Sequence, residues 1–315
     1  MKKRKSLLES NVLYTVIAII IGFVIGAIFL AAAGISPAEA YGKLFNGVFG
    51  KPKFMIWTLV YAAPLIFTGL SVAFSLRTGV FNIGAEGQFV VGAMAACACG
   101  ILVKLPPVLH AIVCVIVAAV AGCIWSYLVG LLKVKRGIHE VLSFIMFNWI
   151  AFYLSNFLVN TVALHKEGSG EATKNVLDSA RLLFPEGILK ALDCTGANWG
   201  FILAIVAAVA MWIIIEKTTL GYKLKAVGFN KDAATFGGIN ANKSILTALG
   251  ISGALAGIGG AVQVLGMAGR ISQFAGQEGY GFQGITVALI AGSNPLGCIL
   301  SGIFYGAMKY GGAKL

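Results

Sequence analysis

The chain has 315 residues, 58% of them hydrophobic and only 11% charged, with a formal net charge of +12 at pH 7. A soluble domain carries roughly 25% charged residues because its surface must face water, so this composition excludes an ordinary soluble globule and requires a surface that faces lipid. The basic residues sit in short connectors between apolar runs, which marks membrane topology and gives no support to nucleic-acid binding.

In chain order, Met1-Lys2-Lys3-Arg4-Lys5 leads into an apolar run over 12–33. About 22 residues span roughly 33 Å as a helix, enough for a bilayer and longer than the ~7–15 residues of a signal peptide's apolar core, so a retained first span is expected. Further apolar stretches cover 54–75, 88–103, 108–132, 138–162, 199–215, 245–267 and 284–308. They predict an all-α polytopic transmembrane helix bundle of about eight spans, forming one domain over 1–315. With the N-terminus in the cytoplasm, Arg77, Lys133, Lys135, Arg136, Lys217, Lys223, Lys225, Lys231 and Lys243 fall inside, as basic residues of short loops do. An outer loop over 163–198 is polar and mixed in charge, and either meets an external partner or is simply solvated. An inner loop over 216–243 is rich in Lys, Gly and Ala. Neither loop has enough chain for a core of its own, so function must lie in the helices and these two connectors.

Soluble chemistry is absent from the sequence. Cys97, Cys99, Cys114, Cys123 and Cys298 lie in apolar stretches and Cys194 in the polar loop, with no C-x-x-C pair or Cys/His cluster at metal spacing, so no disulfide and no metal site is predicted. His110, His139 and His165 flank helix ends and read as structural or solvated. No G-x-x-x-x-G-K-[ST] is present to cradle ATP phosphates, and no G-x-S-x-G or H-E-x-x-H.

Three motifs carry the functional reading. The first, Phe81-Asn82-Ile83-Gly84-Ala85-Glu86-Gly87-Gln88, places a carboxylate between glycines that can open a helix. An ionisable residue at membrane depth costs a few kcal/mol by insertion scales and marks function by default; the bland alternative is a turn with Glu86 solvated or paired to Arg77. The second is the inner segment 219–239, where Gly221, Ala226, Gly228, Ala233, Ala234 and Gly238 form a small-residue face that can lie in a groove of another protein, or else anchor on lipid. The third, 279–297, joins a Gly-rich loop to a short apolar run and breaks at Ser293-Asn294-Pro295, repeating the plan of the first. Paired interrupted segments in two halves of a transporter point to the solute path and suggest inverted repeats. Asn148 and Trp149 lie within an apolar span, Asn148 as interhelical glue or as a ligand contact.

Together the motifs resemble the permease subunits of ATP-binding-cassette importers in the branched-chain amino acid, simple-sugar and nucleoside group. FNIGAEGQ at 81–88 is similar to the nucleoside branch, which works with a basic membrane lipoprotein; GYKLKAVGFNKDAATFGGI at 221–239 is similar to the family's ATPase-coupling segment, and GFQGITVALIAGSNPLG at 281–297 to its late signature. Two departures stand out: Lys225 where the family commonly has Arg, and an end at Leu315 where relatives usually continue through another apolar segment, so the sequence is cut short or lacks a last helix.

The resemblance implies a complex of two permease subunits (identical or paralogous), an ATPase with ATP and Mg, and an extracytoplasmic substrate-binding lipoprotein. This chain would bind no cofactor and perform no bond chemistry. Gly221, Lys225, Ala226, Gly228, Asn230, Ala233, Ala234 and Gly238 would dock on the ATPase. The solute path would be lined by Asn82, Glu86, Gln88, Asn148 and Gln283, with Phe81, Trp149 or Phe282 as π-faces, a lining suited to a nucleoside. A sugar or branched-chain amino acid importer is the alternative, and beyond it an ion-coupled transporter with Glu86 as relay, weakened by the lack of a second titratable partner in the sequence around it, or an assembly subunit without a path.

Overall fold

The computed structural model describes residues 11–168 and 170–315; Lys2, Lys3, Arg4 and Lys5 lie outside them. Seven helices are long and apolar enough to cross a membrane. They are α1 (Asn11–Ala32), α3 (Pro52–Leu76), α4 (Ala85–Leu102), α5 (Leu109–Arg136), α6 (Glu140–Val159), α8 (Gly200–Lys217) and α11 (Ala241–Gln263), the last continued by a π-turn over Val264–Ala268. Shorter helices are α2 (Pro37–Phe49), α7 (Glu186–Ala191), α9 (Thr219–Phe229), α10 (Lys231–Phe236), α12 (Tyr280–Ile290) and α13 (Gly297–Gly312). Among the described residues the only β pairing is three isolated bridges.

α11 is the centre of the bundle and packs on α5, α4 and α3. Lipid tails give helices no hydrophobic reason to associate, so close backbone contact must supply the attraction. α11 achieves it with glycine: a Cβ on Gly253 would overlap the Gly122 carbonyl of α5, and one on Gly257 the Ala118 carbonyl. By contrast α1 is exposed along its length and touches chiefly α2.

The two ends of the bundle differ. One carries Lys133, Lys135 and Arg136 in the last turn of α5, the α9–α10 pair and Arg77; here Lys133 pairs with Glu140 at the start of α6. The other is capped. The 163–198 segment, read from sequence as a loop that meets an external partner or is simply solvated, folds over the ends of α4 and α11. Thr173 N–H donates to the Ile271 carbonyl (2.9 Å), Leu177 N–H to Gly100 (2.9 Å) and Leu182 N–H to Leu265 (3.1 Å), while Ala180 and Cys194 are buried. Lys53 bonds Asp193 at 2.8 Å and holds its carboxyl below the usual carboxylate range.

The apolar run expected over 284–308 forms two helices, broken at the turn that Ser293-Asn294-Pro295 marks. α12 and α13 are separated by a reversal in which Gly292 and Ser293 both have positive φ (59° and 55°) and Asn294 Oδ1 accepts the Leu296 N–H at 3.0 Å. An 11-residue helix is about 16 Å long and cannot cross a hydrocarbon core of ~30 Å. α12 therefore starts inside the bundle: Gly281 lies on the Glu86 backbone and Gly284 on Thr68, and it runs to the basic end, where Arg77 Nε donates to the Ser293 carbonyl at 3.0 Å. α13 returns across the bundle, Gly302 against Ile66, Gly306 against Ala62 and Gly311 against α2.

Candidate functional site

The first broken segment, 77–84, turns back into the bundle after α3 ends, so that α4 begins below the basic end. Asn82 is fully buried and holds this course. Its Nδ2 donates to Gln88 Oε1 (2.9 Å), Ser252 Oγ (2.6 Å) and Ser71 Oγ (3.2 Å); its Oδ1 accepts from Gly84 N–H (3.0 Å) and Gln88 Nε2 (2.9 Å). Asn148 on α6 braces the other side, its Oδ1 accepting from Gly87 N–H (2.8 Å) and its Nδ2 donating to the Ile83 carbonyl (3.1 Å). Irregular backbone at membrane depth survives only where protein satisfies it, and these amides do so. Replacing Asn82 with Leu strands the Gln88 amide and the Gly84 N–H together, while Ser252 keeps its bond to the Ser71 carbonyl. At roughly 1–3 kcal/mol per stranded group, Asn82→Leu is expected to destabilise the fold by about 2–6 kcal/mol, measurable as a lowered unfolding temperature in detergent.

Glu86 is 1% exposed, and its partner is not Arg77. Its two carboxylate oxygens accept the N–H groups of Gly279 and Gly281, each at 2.7 Å, and so cap the N-terminus of α12 from 193 and 195 residues away. Both oxygens receive donors only, the pattern of an ionised carboxylate, and the helix dipole favours negative charge there. The two broken segments predicted from the sequence thus meet, and this carboxylate joins them.

Around the junction lies a group that motif reading missed. Lys309 of α13 donates to Gln283 Oε1 at 3.1 Å and its ammonium sits 3.4 Å from the Tyr280 ring centroid. Glu278, just before α12, interacts electrostatically with both Lys309 and Glu86. The available signal was a lone lysine inside the apolar run 297–312 and an acid beside the Gly-rich loop. Glu86 therefore has two titratable neighbours, Lys309 and Glu278, which the sequence around it does not show.

Of the residues expected on a solute path, Asn82, Glu86, Gln88 and Asn148 are buried and hydrogen-bonded to one another's segments. Gln283 is half-buried beside Lys309, and Phe81 packs on the core. Phe282 is 37% exposed on the same helix. Trp149 stands apart on the outer face of α6, stacked on Tyr153. The fold also gathers Cys99, His110 and Cys114, whose ligand atoms lie within 4.8 Å of one another, a grouping that their spacing did not announce. His110 Nδ1 there bonds Ser179 Oγ at 2.8 Å, tying α5 to the cap.

The second motif forms α9 and α10 at the basic end. Thr218 Oγ1 caps α9 by accepting the Gly221 N–H (3.2 Å), and Asn230 caps α10 by accepting from Asp232 and Ala233 (3.0 and 2.9 Å). The small-residue face is divided: Gly221 and Ala234 are buried and Ala226 is half-buried, whereas Gly228, Ala233 and Gly238 are exposed. Gly221 lies on the end of α8 and Gly228 on the Arg77 carbonyl, and Ala226 and Ala234 join an apolar cluster with Val80, Val227, Ile245 and Leu249. Lys225 pairs with Glu216 at 2.9 Å. Ala233 and Gly238 are exposed, as are the phenylalanines Phe229 (90%) and Phe236 (94%).

Residues 54–315 match the family described as branched-chain amino acid transport system / permease component. The guanosine ABC transporter permease protein NupP of Bacillus subtilis is 38% identical over 307 residues, 97% of this chain and 87% of that protein. The chain belongs to this ABC permease family. The permease is also 35% identical to the nucleoside ABC transporter permease protein NupB of Lactococcus lactis, over 96% of this chain and 84% of that one. To the glucose ABC transporter permease protein TsgB13 of Haloferax volcanii it is 29% identical, over 95% and 80%. No solved structure matches it. The protein is thus the multi-pass membrane permease subunit of an ABC importer, a transport component rather than an enzyme, and works with ATPase and substrate-binding partners.

Proposed function

We propose that the permease carries nucleosides, with its basic end and N-terminus in the cytoplasm, α9–α10 seated on the ATPase, and the capped end facing a lipid-anchored binding protein. A second permease subunit, identical or paralogous, would complete the complex, and ATP and Mg would be held by the ATPase. The observation that carries this reading is a chain of contacts. α9 rests on the first broken segment through Gly228 against Arg77 and Gly79; that segment leads into Glu86; and Glu86 holds the N-terminus of the half-helix α12. A push on α9–α10 therefore reaches, through packed backbone, the only half-length apolar helix among the described residues. ATP binding supplies the differential energy between two arrangements of these elements, and the permease supplies the element that has two arrangements.

Nucleosides fit because relatives over nearly the whole chain are named for them, and because α12 with its neighbours Lys309 and Glu278 offers an amide, an ammonium, a carboxylate and aromatic rings. The test is uptake of a labelled nucleoside panel by proteoliposomes holding the permease, its ATPase and its binding protein. ATP-dependent nucleoside uptake is the expected result; uptake of glucose or another simple sugar in its place would overturn the assignment.

A further inference from the structure

A cavity of about 230 Å³ lies on the capped side of the α12 N-terminus, between Ala93 of α4, Gln263 and the π-turn that ends α11, and the 270–278 segment. Its polar lining comes from Gln263, Arg270, Ser272, Gln273 and Glu278, and Phe274 adds a ring. The volume is below the ~300–1,000 Å³ of complete small-molecule sites, so the cavity fits one ring system of a solute rather than the whole of it. π-turns inside helices concentrate at functional positions, and this one forms a wall of the cavity.

Two acceptors here have no donor. Gln263 Oε1 is shut off from solvent and makes no hydrogen bond. The Glu278 carboxylate makes no hydrogen bond and no ion pair within 4 Å among the described residues; its electrostatic neighbours include Glu86, Lys309 and Tyr280. A buried acceptor left unpaired costs about 1–3 kcal/mol; that applies to Gln263 Oε1, while the half-buried Glu278 offers its carboxylate to the same cavity, so a group that brings N–H donors would satisfy the first and pair with the second. Arg270 supplies the complementary donor. It is an exposed guanidinium on the cavity rim.

We propose that this cavity is a base-recognition subsite, resting on the nucleoside reading above, that selects bases presenting two adjacent N–H donors beside a carbonyl. Gln263 Oε1 and Glu278 accept from the ring N–H and the exocyclic amine, Arg270 donates to the carbonyl oxygen or ring nitrogen, and Phe274 stacks on the ring. Guanine carries that donor–donor–acceptor edge; hypoxanthine lacks the exocyclic amine, and adenine lacks the ring N–H at that edge. A site with acceptors placed for an amine leaves them unpaired when the amine is missing, which is the strong form of discrimination.

The experiment uses the complete complex in proteoliposomes, with the binding protein saturated by guanosine or by inosine, so that maximal rates rather than affinities of the binding protein are compared. Wild type is expected to carry guanosine faster than inosine. Glu278→Gln and, separately, the nearly isosteric Gln263→Met are each expected to lower the guanosine-to-inosine rate ratio about tenfold. A ratio that stays at the wild-type value in both variants, whether the two rates hold or fall together, overturns the subsite. Wild type that moves no nucleoside overturns the nucleoside reading itself, a distinct result.

Discussion

Glu86→Ala is expected to reduce uptake to background and to destabilise the permease by about 3–5 kcal/mol, the range for removing one partner of a buried charged interaction. The Gly279 and Gly281 N–H groups that the carboxylate satisfies at 2.7 Å each have no helical partner of their own, because they belong to the first turn of α12. Water cannot replace the carboxylate at a site that is 1% exposed. Glu86→Gln is the sharper probe. It keeps the volume and one acceptor oxygen but turns an NH₂ toward a backbone donor, so one charge-assisted bond is lost and a donor faces a donor. About 2–3 kcal/mol of destabilisation and at least a tenfold loss of transport rate are expected, with the ATPase still bound because α9–α10 is untouched. Glu86→Asp is expected to fall between wild type and Gln, since it keeps the charge but is one methylene short of spanning both donors. Thermal unfolding in detergent and uptake in proteoliposomes read the two effects separately. A Glu86→Gln permease with wild-type stability and uptake would remove the carboxylate from the mechanism.

How much of this was legible beforehand follows from the range of each interaction. Apolar length is local, so the runs at 12–33, 54–75, 108–132 and 245–267 correspond closely to α1, α3, α5 and α11. The Gly-rich breaks before Gln88 and around 279–297 are local too, and both are real interruptions. What pairs with Glu86 is not local: its donors lie nearly two hundred residues on, and no spacing rule reaches that far. The same holds for Gln263, Glu278 and Lys309, each unremarkable until α11, α12 and α13 bring them to one point. The split of 284–308 was half legible. Ser293-Asn294-Pro295 marks a turn, but that the turn reverses the chain and leaves α12 at half length depends on its packing against α3. That part of the small-residue face on α9–α10 is buried was not legible for a related reason. Gly and Ala at helical spacing show that something approaches closely, and only the fold shows that it is Arg77 and the ends of α8 and α11 in the same chain.

The buried part of that face moves the decisive test of coupling to different residues. Ala226 and Ala234 join the apolar cluster that seats α9–α10 on the bundle, so bulky side chains there would disturb the fold as well as any docking. Phe229 and Phe236 are the opposite case, 90% and 94% exposed at the end that carries the lysines. A large apolar side chain left in water beyond the apolar spans stabilises nothing in the isolated chain; its use is as an anchor in a partner's pocket, where aromatic residues dominate binding energy. Truncating one such anchor typically costs at least about 2 kcal/mol, and 1.4 kcal/mol is a factor of ten. The double variant Phe229→Ala, Phe236→Ala is therefore expected to weaken ATPase binding by a hundredfold or more and to bring uptake to background. Its own unfolding temperature should stay within a degree or two of wild type, because both rings are almost fully exposed among the described residues. Copurification of the ATPase and binding-protein-stimulated ATP hydrolysis are the measurements. An intact complex with full uptake in the double variant would show that α9 and α10 are not what the ATPase holds. The combination expected here, a stable permease that has lost its motor, separates a docking surface from a merely structural helix pair.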